Sequence, residues 1–106
     1  MEDRLKEIAD RCAEVEDQLA RPEVLRDTNR FRELTREHAQ IKPIAVKYEE
    51  YRKIRKELAE SEEVLKGEKD EEMREMVRAE MALLRGRLEA LDAELMVLLL
   101  PRDPSS

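Results

Sequence analysis

Leu5, Ile8, Cys12, Val15 and Leu19 recur at spacings of 3, 4, 3 and 4, with charged residues between them. That spacing lays one apolar stripe along a helix and predicts an amphipathic helix from about Glu2 to Ala20. Pro22 ends it, because proline lacks an N–H and crowds the preceding turn. The segment PEVLRDTN (22–29) reads as punctuation: Pro22 starts a short turn, and Asp27 or Thr28 caps the next helix. Phe31, Leu34, His38 and Ile41 then repeat at 3, 4 and 3. Pro43 predicts a kink or a restart. Ile44, Tyr48, Tyr51, Ile54 or Arg55, Leu58, Ser61 and Leu65 carry the stripe onward until Gly67 permits a turn. Asp70 caps a last long stretch, with Glu71 and Glu72 at the positive end of its dipole. Its stripe runs Met73, Val77, Met81, Leu84, Leu88, Leu91, Leu95 and Leu98. Gly86 falls off that stripe with no packing reason evident in the sequence.

The expected fold class is all-α: an elongated antiparallel helical hairpin or bundle of three to four helices with coiled-coil-like packing. Segments 44–66 and 70–99 would be roughly 35 and 45 Å long and fold back on each other around Gly67. Segments 2–20 and 28–42 would form a second, shorter pair. The expected organisation is a helical arm over residues 1–100, with 101–106 beginning a linker.

Composition sharpens this picture. Of the 106 residues, 45% are charged and only 3% aromatic, with 2 Gly and 4 Pro, a profile that suits long helices. The net charge of −6 is uneven, −4 over residues 1–27, +2 over 28–66 and −4 over 67–106. Such acidity opposes general DNA binding through phosphate neutralisation. Cys12 is the one cysteine and forms no internal disulfide, which points to a reducing compartment. With no charged-then-apolar leader and no 18-residue apolar run, neither a signal peptide nor a membrane span is expected, and the cytoplasm is the expected location.

No catalytic constellation emerges, and neither a cofactor nor a metal is expected. Cys12 reads as a small buried hydrophobe, with no His or second Cys nearby. His38, the sole histidine, reads as a core-edge residue outside any metal-binding spacing. The carboxylates belong to solvated helix faces, and two isolated glycines make no phosphate-cradling loop.

Two features point to binding. KYEEYRKIRK (47–56) gathers Lys47, Arg52, Lys53, Arg55 and Lys56 around Tyr48 and Tyr51. Basic groups with aromatic rings can engage phosphates and bases, although both tyrosines also fit the inward stripe. Val97, Leu98, Leu99 and Leu100 put apolar groups on every side of a helix end. One stripe accounts for Leu98 and in part Leu99, so the others need a second contact.

RFRELTREHAQIKPI (30–44), EEMREMVRAEM (71–81) and LMVLLLPRDP (95–104), in this order and spacing, resemble the N-terminal domain of the bacterial peptide chain release factor 1 family, the class I release factors. The resemblance runs from about Leu5 to Pro104. It implies a helical arm that lacks chemistry of its own and acts in translation termination at UAA and UAG codons. It further implies docking toward the stalk base of the large ribosomal subunit and an indirect link to the GTPase class II release factor. The family's Gly-Gly-Gln loop, which promotes peptidyl-tRNA hydrolysis, is not found in this sequence, and Ser105 and Ser106 replace a usual acidic run. The resemblance thus makes Val97 to Leu100 a junction toward the remaining domains of a parent factor. The competing expectation is a stand-alone helical interaction module or a coiled-coil dimer.

Overall fold

The computed structural model describes residues 1–101; the linker expected over 101–106 lies, beyond Pro101, outside the described residues. The architecture is all-α: α1 (Glu2–Leu19), α2 (Pro22–Arg26), α3 (Thr28–Gly67) and α4 (Glu71–Leu98). Among the described residues there is no strand. The chain divides into two compact units, Met1–Tyr48 and Glu49–Ser106, and α3 contributes to both.

In the first unit, Leu5, Cys12 and Val15 of α1 are buried, as the stripe predicts. Arg21 takes an extended conformation (φ −84°, ψ 133°), the geometry that a following proline favours, and Pro22 opens α2 at its first position. The segment read as punctuation holds a core residue. Val24 is fully buried with Val15 and Leu34, against half-buried Leu19 and Ile41. Asp27 is the cap of α3: its Oδ1 accepts the Arg30 N–H at 3.2 Å, and Thr28 is the first helical residue. Side-chain contacts join residue 11 to 37, 18 to 30 and 2 to 48, so this part of α3 runs antiparallel to α1.

Of the kink or restart expected at Pro43, there is no restart: α3 is one 40-residue element. The proline removes one N–H and strands the carbonyl of Ala39, but both residues lie on the exposed side, where solvent has access to that oxygen. Buried Leu34, Ile44 and Tyr48 hold the helix on either side. Phe31 was expected on the inward stripe but is 40% exposed. Val24 of α2 fills the core at this end beside Val15 and Leu34, and Phe31 turns to the outer face with Thr28, Arg32 and Thr35.

The second unit is a helical hairpin. Ile54 and Leu58 of α3 pack on Met81 and Leu91 of α4, with Tyr51, Leu65, Val77, Leu84 and Leu88 along the same seam. Arg87 grips Glu50 through two N–H···O contacts of 2.8 and 3.1 Å, which fixes the antiparallel register. Asp70 caps α4 as expected, accepting the Glu72 N–H at 3.2 Å. Gly67 is the last residue of α3, and neither glycine has a positive φ. The turn is closed instead by Arg74, whose Nη1 donates to the carbonyls of Leu65 and Glu68 and so satisfies helix-end oxygens. Met73, expected on the stripe, is 43% exposed because the seam begins one turn later, at Val77.

Candidate functional site

The basic stretch 47–56 separates into parts with different surroundings. Tyr48 is buried in the first unit and its hydroxyl donates to Glu2 Oε2 at 3.2 Å. Lys47 beside it is half-buried. In the second unit, Tyr51 packs into the hairpin core, and the Arg55 guanidinium lies 5.6 Å from its ring centroid, a cation–π distance. Neither tyrosine offers a free stacking face. Arg52, Lys53 and Lys56 are exposed and line one shallow depression with Glu49, at helical positions i, i+3, i+4 and i+7. This face can hold phosphate groups by charge, a contact that positions a partner without reading a base. In the first unit, the outer face of α3 forms another depression, lined by Thr28, Phe31, Arg32, Thr35, Arg36 and Ala39. The sequence pattern conceals it, because Phe31 fits the spacing of the inward stripe.

At the end of α4, Leu98 and Leu99 are half-buried, whereas Val97 and Leu100 are 66% and 64% exposed. They continue a second row along α4. Met76, Ala79, Leu83, Gly86, Ala90, Ala93, Val97 and Leu100 alternate at spacings of 3 and 4 and are all exposed, while the buried and half-buried positions of the seam lie on other faces. Leu83 is 77% exposed, and a Cβ added at Gly86 would meet nothing within 4 Å. Gly86 therefore belongs to this outer row. The small residues masked the pattern in the sequence, because only its ends and Leu83 are large. Glu75, Glu80, Glu89 and Glu94 flank the row.

The antiparallel pairing of α1 and α3 brings together three residues that look unrelated in the sequence. His38 Nε2 lies 2.8 Å from Glu16 Oε2, and the Lys42 ammonium donates to the same oxygen at 2.8 Å. The Cys12 sulfur joins them: one ligand atom each of Cys12, Glu16 and His38 lies within 4.8 Å of the others. The expectation that Cys12 has no histidine nearby is overturned, since the long sequence separation vanishes when α3 folds back on α1. Hydrogen bonds from Lys42, then His38, hold the Glu16 carboxyl below its usual range. Burial pushes the Cys12 thiol up, with Glu16 adding to the effect and Lys42 opposing it. The thiol is thus no activated nucleophile. At the adjoining positions, Arg11 forks onto Glu37 through two 2.7 Å contacts, which lower the Glu37 carboxyl and raise the guanidinium.

Residues 8–106 match the PCRF domain family. Curated relatives named peptide chain release factor 1 align over nearly the whole chain. The Chlorobaculum tepidum protein is 42% identical over 103 residues, covering 97% of this chain and 29% of the relative. The Lactococcus lactis subsp. cremoris (strain MG1363) protein is 41% identical over 106 residues, covering 99% and 30%. The Oceanobacillus iheyensis protein is 37% identical over 105 residues, again 99% and 30%. The chain thus spans about 30% of the length of these relatives. No solved structure matches it. Among the described residues, no helix is long and apolar enough to cross a membrane.

Proposed function

Because this chain belongs to the PCRF domain family, we propose that it acts as the non-catalytic N-terminal domain of a class I peptide chain release factor, in termination at UAA and UAG codons. It works in the cytoplasm by docking on the ribosome, toward the stalk base of the large subunit. Its other partners are the remaining domains of the parent factor and, indirectly, the GTPase class II factor. The observation that carries this reading is the near full-length match to relatives named release factor 1. The parent's peptidyl-tRNA hydrolysis belongs to a Gly-Gly-Gln loop, and the only glycines here, Gly67 and Gly86, are isolated.

Arg52, Lys53 and Lys56 carry the ribosome contact in this reading, with Arg55 and Lys47 at its edges. Val97 and Leu100 face the next domain, with Leu98 and Leu99 anchoring them to α4. Ribosome pelleting tests the first contact. Arg52→Glu combined with Lys53→Glu reduces the pelleted fraction while the helical circular-dichroism signal stays intact. Equal pelleting of variant and parent would remove the basic face from the reading.

The outer row of α4 favours a second reading, a coiled-coil dimer formed through that row. Its flanks weigh against self-pairing. Parallel pairing sets Glu75 opposite Glu80 of the second copy and Glu89 opposite Glu94, and antiparallel pairing also opposes glutamates. Sedimentation separates the readings: a monomer fits the domain, and a concentration-independent dimer fits the coiled coil.

A further inference from the structure

We propose that Cys12, Glu16 and His38 form a zinc(II) site of three protein ligands and one water, clamping α1 to α3. Cys12 and Glu16 stand four residues apart, hence one turn apart on one face of α1. His38 approaches from the antiparallel helix, and its Nε2 is already 2.8 Å from the Glu16 carboxylate. The three ligand atoms lie within 4.8 Å of one another. Tetrahedral zinc, with bonds of about 2.3 Å to sulfur and about 2.0–2.2 Å to nitrogen and oxygen, needs its ligands about 3.3–3.8 Å apart. Glu16 and His38 are partly exposed, which leaves their side chains room to rotate toward that spacing.

The donor set is the one that zinc selects. Sulfur, imidazole and carboxylate together suit a borderline metal, whereas calcium and magnesium take oxygen alone. The site also has an inner wall and an entrance. Cys12 is only 3% exposed, while Glu16 and His38 open to solvent. The carboxylate already gathers the Lys42 ammonium and the His38 ring on one oxygen, Oε2. Zinc takes the place of the Lys42 ammonium, which is 45% exposed and swings into water. On binding, the S–H bond of Cys12 breaks, the S–Zn bond forms, and the proton passes to solvent. The proton that His38 Nε2 shares with Glu16 also leaves that nitrogen, returning through solvent to Nδ1, so that the Nε2 lone pair takes the metal.

Cobalt(II) is the probe, added to the full chain at neutral pH in a thiol-free reducing buffer. One equivalent produces a thiolate-to-cobalt charge-transfer band with tetrahedral visible absorption, and zinc abolishes both by displacement. Cys12→Ser removes the charge-transfer band. His38→Gln and Glu16→Gln each weaken binding by more than about tenfold. Zinc raises the melting temperature of the parent chain but not of His38→Gln, and metal-free melts of every variant check folding. The proposal is overturned if the parent shows no charge-transfer band. It is equally overturned if His38→Gln and Glu16→Gln bind as the parent does, which would mark a bare thiol, or if Cys12→Ser keeps full affinity, which would mark surface carboxylates.

Discussion

The two units both zip helices along one apolar stripe, yet they hold their polar groups differently. In Met1–Tyr48 the seam is bordered by cross-helix polar contacts: Arg11 with Glu37, His38 and Lys42 with Glu16, Tyr48 with Glu2. In Glu49–Ser106 the hairpin relies on a longer apolar row, with Arg87 on Glu50 as its close cross-helix ion pair and Arg74 sealing the turn. Apolar burial is indifferent to pH and weakly affected by salt, whereas half-exposed ion pairs answer to both. The polar seam of the first unit therefore answers more to pH and salt than the apolar row of the hairpin does.

The sharpest way to break that contrast is a cavity in the hairpin. Leu91 is fully buried, so Leu91→Ala costs about 2–5 kcal/mol through lost burial and the void left behind. Denaturant melts measure this loss, and Leu83→Ala, on the exposed row of the same helix, stays within about 0.5 kcal/mol of the parent. A gain of opposite sign comes next. Gly86 lies mid-helix with open space at its Cβ, so Gly86→Ala stabilises the hairpin by about 0.5–1 kcal/mol. A loss on that substitution would show that something packs against the row.

Acid acts more gently, and on the first unit. The Glu37 carboxyl is held below its ordinary value of 4.5 by Arg11, and Glu16 is held below the same value by Lys42 and His38. Groups lowered by folding contribute stability that is complete above the unfolded value and fades as pH falls through the folded one. Acidification from about pH 5 therefore lowers the melting temperature, and Glu37→Gln flattens part of that slope. A slope unchanged in Glu37→Gln would detach the Arg11 pair from the effect.

Much of this was legible in the chain. Val15, Leu91 and Leu95 sit where a 3.6-residue period puts them, and Asp70 caps where an Asp before a periodic run should. What escaped was non-local. Pro43 alone leaves a kink and a restart both open because its penalty is local, while the packing that keeps α3 continuous comes from another helix. Val24 hides in a turn-like segment because a five-residue helix is too short to show a period. The meeting of Cys12 with His38 depends on the register of α1 against α3, which no spacing within either helix encodes. The basic face was half-legible: the positions of Arg52, Lys53 and Lys56 follow from helical geometry, but the division between tyrosines that pack and cations that face water needed the partner helix.

Co-sedimentation of the purified chain with separated large and small ribosomal subunits tests the central claim most directly. A ribosome-docking domain pellets with the large subunit in a salt-sensitive manner and leaves the small subunit alone. Equal recovery with both subunits, or with neither, would contradict it.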